Sequence, residues 1–239
     1  MFKRVWITGD THGDFSWLQE WCKVNKTTTE EDMLIILGDA GILYFGQEHP
    51  HEITKKNIIA SCPVTLFCVR GNHEDRPEDR VECILQDVGI VGKVFVDDQY
   101  PNIWYAQDGG EYEIAGMWFL TIGGAYSVDK PLRLMRNWKW VPNEMLSDKE
   151  MAAIKKKVKG HIYDHVLTHT CPYDWQPVDL FIRGIDEEEI PHNMEWFLSD
   201  IRDEIYFVHW WFGHFHADRY DVCGDGKVTM LYGTKLRVM

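Results

Sequence analysis

The first part of the chain alternates between short, uninterrupted apolar runs and amphipathic segments. The apolar runs are Arg4–Thr8, Met33–Leu37 and Val64–Val69. The segments between them predict one helix that ends near Val24 and another over roughly Glu52–Ala60. Apolar runs of this length are typical of strands that helices bury on both faces. The order therefore predicts a layered α/β sheet.

The start of the first helix has a recognisable pattern. Ser16 and Gln19 have the Ser-x-x-Gln spacing of a capping box, which places the helix start at Ser16. Asp14 lies just before this position, where a negative charge favours the start of a helix.

The pattern changes in the second part of the chain. Short alternating stretches from Ile103 to Ile122, with a turn at Gly109-Gly110, predict antiparallel strands. A charged helix is predicted at about Ser147–Val158, and further strands are predicted at His165–Thr168, Tyr206–Phe212 and within Asp218–Val238 around Gly224-Asp225-Gly226. No repeat or long linker interrupts the chain, so we expect a single α/β domain over residues 1–239 with a mixed second sheet.

Glycine and ligand-type side chains follow five of the predicted strands. They are Asp10-x-His12, Asp39, Asn72-His73, His169 and His214-x-His216. Ligands of open α/β sheets bind at the carboxyl ends of strands. On extended backbone, residues two apart point to the same side, so each Asp/His or His/His pair can converge on one point. Taken alone, each motif is typical of an ordinary turn. Together they predict a site for a pair of cations.

The residue types limit the ions. Carboxylates and imidazoles without a thiolate suit Mn, Fe or Zn, and we expect two divalent transition-metal ions, with Mn²⁺ first and Fe or Zn as alternatives. Asp39 has two oxygens and could bridge the ions. Ions about 3.5–4 Å apart can polarise a phosphoryl group and activate water. This chemistry indicates phosphoester hydrolysis.

Composition narrows the choice of class. Of the 239 residues 45% are apolar, and these suffice for a substantial core. The net charge of −13 disfavours a duplex nucleic-acid partner. The six cysteines are scattered without a CxxC pair, which is typical of core residues in a reducing compartment. There is no leader pattern and no apolar run of about 18 residues, so we expect a cytoplasmic protein without a membrane partner. The sequence does not indicate the oligomeric state.

The motif set resembles the calcineurin-like metallophosphoesterases. It comprises Gly9-Asp10-Thr11-His12-Gly13, Gly38-Asp39, Gly71-Asn72-His73-Glu74, His169 and Gly213-His214-Phe215-His216. The resemblance covers nearly the whole chain. It implies a four-layer α/β fold in which two mixed β-sheets pack as a sandwich flanked by helices, with a two-metal centre at the strand ends.

The resemblance also implies a role for each motif residue. One ion would be bound by Asp10, His12 and His216, the other by Asn72, His169 and His214, and Asp39 would bridge the two. His73 would contact the phosphate and help to protonate the leaving oxygen while a metal-bound hydroxide attacks phosphorus. The expected activity is hydrolysis of a phosphomonoester or phosphodiester, with a phosphorylated small molecule or nucleotide as substrate.

The second motif departs from one branch of the family. Protein Ser/Thr phosphatases continue it as GDxxDRG, whereas this chain has Ile42 and Leu43 at the Asp and Arg positions. This departure weakens a protein-phosphatase assignment. Arg76 and Arg136 are the candidates to bind the substrate phosphate in its place. Three alternatives remain open: a protein Ser/Thr phosphatase, a single-strand nuclease using the same site, and a non-catalytic metal-binding scaffold.

Overall fold

Strands and helices alternate along the part of the chain that the structure, a computed structural model, describes: residues 2–181, 189–224 and 226–239. The strands are β1 (Arg4–Thr8), β2 (Asp32–Leu37), β3 (Thr65–Val69), β4 (Cys83–Gln86), β5 (Val94–Asp97), β6 (Tyr100–Tyr105), β7 (Gly110–Ile114), β8 (Met117–Ile122), β9 (Ile162–Thr168), β10 (Tyr206–Phe212), β11 (Val228–Met230) and β12 (Leu236–Arg237). The helices are α1 (Leu18–Asn25), α2 (Pro50–Ala60), α3 (Lys130–Met135), α4 (Asp148–Val158) and α5 (Asn193–Glu204). None of these helices combines the length and apolar character that crossing a bilayer requires.

The strands form two mixed sheets. One has seven strands in the order β12-β1-β2-β3-β6-β5-β4. Strands β1, β2, β3 and β6 are parallel, whereas β12 is antiparallel to β1, β5 to β6 and β4 to β5. The other has five strands in the order β11-β10-β9-β8-β7, and β8 to β11 are parallel. Because parallel strands end at the same edge, the loops after β1, β2 and β3 lie side by side, as do those after β9 and β10.

Three groups of buried side chains account for the layers. The inner faces of the sheets pack together, with Phe67 of β3 and Phe119 of β8 in the same cluster. Helices α1 and α2 cover the outer face of the first sheet, with Leu18 and Ile59 in the buried cluster. Helices α4 and α5 cover the outer face of the second sheet in the same way. The predicted four-layer sandwich is therefore confirmed.

One local prediction is wrong and another holds in part. The first helix begins at Leu18 after the N-cap Trp17, which makes no side-chain cap. Ser16 lies one residue before this N-cap and donates both its backbone N–H and its hydroxyl to Asp14 Oδ1, at 3.0 and 2.6 Å. In the Ile103–Ile122 region β7 and β8 form the predicted antiparallel pair, whereas β6 joins the first sheet, antiparallel to β5 and parallel to β3.

A buried group of charges anchors α2 beside the loop that follows β2. Lys56 is 2% exposed, and its Nζ lies 2.7 Å from Asp97 Oδ2 and 3.2 Å from Glu52 Oε1. The other oxygen of Glu52 accepts the backbone N–H groups of Phe45 and Gly46. This ion network therefore fixes the loop between β2 and α2 as well as the helix.

We expect the variant Lys56→Met to be strongly destabilised, because it removes the cation that lies 2.7 Å from the buried Asp97 carboxylate. Removing one member of a buried ion pair costs about 3–5 kcal/mol of the free energy of unfolding. Urea denaturation followed by circular dichroism measures the change. Lys23→Met is the control, since Lys23 is exposed and pairs with the exposed Glu20, and we expect it to cost less than about 1 kcal/mol. Equal losses for both variants would contradict the assigned role of the network.

Candidate metal centre

Loops from both sheets bring the seven predicted ligands to one edge of the sandwich. Asp10 and His12 follow β1, Asp39 follows β2 and Asn72 follows β3. His169 follows β9, and His214 and His216 follow β10 of the other sheet. The structure thus brings together the residues of five loops that are widely separated in sequence.

Asp10, His12 and His216 form one cluster of potential ligand atoms. The Nε2 atoms of the two histidines are 2.9 Å apart, and Asp10 Oδ2 lies 3.4 Å from that of His216 and 3.8 Å from that of His12. Atoms bound about 2.0–2.2 Å from one ion are spaced roughly 3 Å apart. Asp10 Oδ2 is buried without a hydrogen-bond partner. The three atoms therefore fit a shared cation.

Asp39, Asn72 and His169 form a second, more deeply buried group. Asp39 Oδ2 lies 3.7 Å from His169 Nε2 and 3.9 Å from His12 Nδ1, so it faces both clusters. The imidazole ring of His214 lies 4.9 Å from that of His169, centroid to centroid. The backbone N–H of His214 donates to Asp10 Oδ1 at 3.0 Å, which links the two groups.

Two hydrogen-bond acceptors face each other in this second group. His169 Nδ1 lies 2.8 Å from the carbonyl oxygen of Leu37, so Nδ1 carries the proton and Nε2 is left with a lone pair. That Nε2 is 2.8 Å from Asn72 Oδ1. Burial lowers the pKa of His169, so the doubly protonated ring is disfavoured. A cation between the two acceptors resolves the conflict.

The orientation of Asn72 is set by its other partners. Asn72 Nδ2 donates to Ser127 Oγ at 2.8 Å. The Ser127 hydroxyl in turn donates to the buried Glu144 carboxylate, which also accepts the indole N–H of Trp140. Because the hydroxyl proton is committed to Glu144, Ser127 can only accept from Asn72. The Asn72 oxygen is therefore directed at His169.

Electrostatics also favours a cation at this point. Asp39 is 2% exposed, and burial together with the nearby Asp10 carboxylate raises its pKa to about 8. Two buried carboxylates without a compensating charge are unfavourable, and a divalent ion between them would remove that penalty. The donor set, the unpartnered Asp10 oxygen and this charge all fit metal ions.

The backbone that presents these ligands is not extended. His12, Asp39, His214 and His216 have φ values of 47°, 45°, 67° and 51°, in the left-handed region. Asp10 and His12 do converge, but His216 joins them while His214 lies beside His169, and the extended geometry expected from sequence is wrong. Left-handed conformations at non-glycine residues carry strain, and they concentrate at functional sites.

Motif glycines leave space for ligands from neighbouring loops. A Cβ on Gly71 would lie 1.9 Å from Asp39 Oδ1, and one on Gly38 would lie 2.0 Å from His169 Nδ1. Asp39 Oδ1 uses this space to accept the backbone N–H of His73 at 2.9 Å. Glu74 Oε1 accepts the N–H of Gly41 at 2.6 Å and so ties the same two loops together. The glycines are therefore needed for the ligands to approach one another.

His73 lies beside this centre and contacts an arginine. Its Nε2 is 3.2 Å from Arg133 Nη2, and Asp129 holds that guanidinium with both oxygens 2.8 Å from Nε. Burial, followed by the positive charge of Arg133, lowers the pKa of His73 to about 3. Asp129 and Arg133 are four residues apart at the start of α3, so one helical turn places both beside the histidine.

Two cavities border the centre, and both contact Asp39 and His73. The smaller, about 200 Å³, is also lined by Lys55, Arg133 and Tyr44. The larger, about 390 Å³, is lined in part by Tyr126, Gln176, Leu180, Phe181, Ile190 and Phe215.

The structure places the two arginines chosen from sequence away from these cavities. Arg76 is buried and bonds Glu150 at 2.5 Å, along with the carbonyl groups of Asn143 and Met145. Arg136 is exposed with its guanidinium over the ring of Trp138. Lys55 and Arg133 are instead the lysine and arginine that line the smaller cavity in the described part of the chain, and neither was predicted as a phosphate contact. The four-residue spacing of Asp129 and Arg133 was the feature of the sequence that could have pointed to Arg133 as a phosphate contact. The sequence has no corresponding feature for Lys55.

We expect Gly71→Ala to disturb Asp39 and weaken metal binding. The added methyl group would overlap Asp39 Oδ1, and overpacking of this kind costs about 1–3 kcal/mol. Isothermal titration with Mn²⁺ and urea denaturation of the metal-free protein measure the two effects. Gly233→Ala is the control, because the nearest atom to its Cβ would be 3.9 Å away and neither glycine has a positive φ. Unchanged Mn²⁺ affinity in a folded Gly71→Ala protein would contradict this reading.

Comparison with known proteins adds to this picture. A family model described as calcineurin-like phosphoesterase matches residues 3–218. Among solved structures, the chain is similar to the phosphopantetheinyl hydrolase (PptH) of Mycobacterium tuberculosis, with a TM-score of 0.43 and 13% identity over 97% of this chain and 90% of that one. No curated protein is significantly similar in sequence.

Proposed function

The chain belongs to the calcineurin-like phosphoesterase family and is thus a metal-dependent phosphoric ester hydrolase; we propose that it uses two divalent ions to hydrolyse a phosphomonoester or phosphodiester of a small molecule or nucleotide. The observation that carries this proposal is the pair of adjoining ligand clusters. Asp10 belongs to both groups that could hold an ion, and Asp39 Oδ2 faces both clusters.

The ligands divide according to their positions. One ion would be held by Asp10, His12 and His216. The other would be held by Asn72, His169 and His214, with Asp39 between the two ions. When bound, the ions supply Lewis-acid polarisation of the phosphoryl group and acidify water. Mn²⁺ is the expected ion, with Fe or Zn as alternatives that the same ligands accept.

Residues of the smaller cavity would position the phosphoryl group. Arg133 presents Nη2 beside His73, and Lys55 lines the same cavity, so both can neutralise phosphoryl oxygens. A neutral His73 retains one N–H to donate to such an oxygen. Its second proposed role, protonation of the leaving oxygen, needs the imidazolium form, which a phosphoryl anion beside Arg133 would favour.

The same residues bear on the protein-phosphatase alternative. Ile42 and Leu43 are buried in the core, so these two positions after Asp39 supply no charge to the site. The pair Asp129 and Arg133, from a different part of the chain, stands beside His73 instead. We therefore place a small-molecule or nucleotide substrate ahead of a phosphoprotein because the second motif lacks the Asp and Arg of the protein phosphatases.

Metal analysis combined with a hydrolysis assay tests the proposal. We expect the purified protein to bind two transition-metal ions per chain and to hydrolyse 4-nitrophenyl phosphate or its bis ester when Mn²⁺ is added. Asp39→Asn should bind fewer ions, and His73→Ala should keep its ions but lose about 100-fold or more in kcat/KM. Asp98→Asn, an exposed aspartate, is the matched control.

Two outcomes would overturn the proposal. If the wild-type protein binds two ions yet hydrolyses no member of a panel of phosphomonoesters, cyclic nucleotides, dinucleotides and phosphopeptides, it is a scaffold. If it hydrolyses only phosphopeptides or single-stranded nucleic acid, the substrate class is wrong.

Arg133 has its own test in the variant Arg133→Met. Because hydrogen bonds to charged groups contribute about 1.5–3 kcal/mol, we expect a loss of about 10- to 100-fold in kcat/KM, mainly through a higher KM. Arg136→Met is the comparison variant, because Arg136 is an arginine that the sequence suggested as a phosphate contact. We expect little change in its kcat/KM, because the Arg136 guanidinium lies over Trp138. A larger loss in Arg136→Met than in Arg133→Met would refute the assignment.

A further inference from the structure

The two cavities beside the centre differ in charge. Lys55 and Arg133 line the smaller one, and the Nζ of Lys55 is held there by the carbonyl oxygen of Gly41 at 3.1 Å. Among the described residues that line the larger cavity there is no lysine or arginine. Its carboxylates are those of Asp39, Asp129 and Glu195. Asp39 faces the ligand clusters and Asp129 is paired with Arg133, so Glu195 is the one without a compensating cation among the described lining residues. An anionic substituent is therefore favoured in the smaller cavity and disfavoured beside Glu195 in the larger one.

From this asymmetry we propose that the larger cavity binds the leaving group, and that it selects an uncharged leaving group carrying an aromatic ring. The inference rests on the proposed phosphoesterase function and adds a substrate class to it. His73 and Asp39 border both cavities, so a phosphoryl group at the centre could turn its oxygens toward the smaller cavity and its leaving group into the larger one.

Burial explains the selection against charge. Glu195 is 5% exposed, and its Oε1 accepts the hydroxyl of Thr170 at 2.9 Å while Oε2 has no hydrogen-bond partner. A carboxylate brought into this surrounding would lose its hydration and gain no cationic partner among the described lining residues. A second phosphate on the leaving group would be penalised for the same reason.

The preference for a ring comes from the apolar part of the lining. Phe181 and Phe215 are partly exposed, and their rings are nearly parallel, 18° apart in plane and 6.4 Å apart between centroids. Leu180 and Ile190 add aliphatic surface to the same cavity. Aromatic groups pack on such rings better than aliphatic groups of equal size. The volume of about 390 Å³ is within the range of small-ligand sites.

A matched series of esters tests the selection without changing the phosphoryl group. Benzyl, cyclohexylmethyl and 4-carboxybenzyl phosphate have leaving groups of similar basicity that differ in aromaticity or in charge. With Mn²⁺-loaded protein we expect kcat/KM for benzyl phosphate to exceed that for the cyclohexylmethyl ester about 2- to 10-fold. We expect it to exceed that for the carboxylated ester at least about tenfold.

Gln176 allows the charge of the cavity to be changed, because its side chain lines the cavity and is only partly buried. In Gln176→Lys the ratio of kcat/KM for 4-carboxybenzyl over benzyl phosphate should rise about threefold or more. Gln176→Met has a similar length and no charge, and should leave the ratio unchanged.

Phe181→Leu tests the preference for a ring, and it should bring the kcat/KM values of the benzyl and cyclohexylmethyl esters closer together. Thymidine 5′-phosphate, compared with 1-naphthylmethyl phosphate, distinguishes a nucleoside from an arylmethyl leaving group of similar basicity.

Binding provides a readout that does not require turnover. Calorimetric affinities of benzylphosphonate and 4-carboxybenzylphosphonate should show the same preference and the same shift in Gln176→Lys. If the esters are hydrolysed without discrimination and Gln176→Lys shifts neither ratio, the inference is overturned while the proposed function stands. If no ester is hydrolysed but the phosphonate ratio shifts, the proposed function fails and the cavity assignment survives.

Discussion

The hydrogen bond between His169 Nδ1 and the carbonyl oxygen of Leu37 joins the two sheets at the edge where the ligand loops meet. Gly38 permits the close approach, because any Cβ there would collide with the His169 ring. The bond fixes the tautomer of His169 and thereby turns a bare nitrogen toward the Asn72 oxygen. The placement of the ligand loops and the chemistry of the centre are thus coupled through one contact between the end of β2 and the loop after β9.

The sequence was sufficient for the parts of the fold and site that repeat a simple pattern. The apolar runs that became β1, β2 and β3 are buried throughout or nearly so, and each ends directly before ligand residues. A pattern of this kind is local, and so are the motifs that resemble the family. The convergence of loops from both sheets then followed from the rule that ligands bind at the carboxyl ends of strands.

What the sequence could not provide depends on contacts between distant segments. Arg76 is close to the GNHE motif in sequence, but Glu150 on α4 and two carbonyl groups occupy its guanidinium. Arg133 is sixty residues from His73 and reaches it only because α3 folds back over the centre. The pairing of β6 with β3 and the left-handed backbone of the ligands are likewise set by tertiary structure rather than by local propensity.

The two ligand clusters differ in their access to solvent, which has a kinetic consequence. The side chains of His12 and His216 are 36% and 51% exposed, whereas His169 and Asn72 are almost completely buried. An ion held by the exposed histidines can leave into water directly. One held by His169 and Asn72 is enclosed by protein, so its departure requires the surrounding loops to open. The two positions are therefore expected to exchange their ions at different rates, the outer one quickly and the inner one slowly.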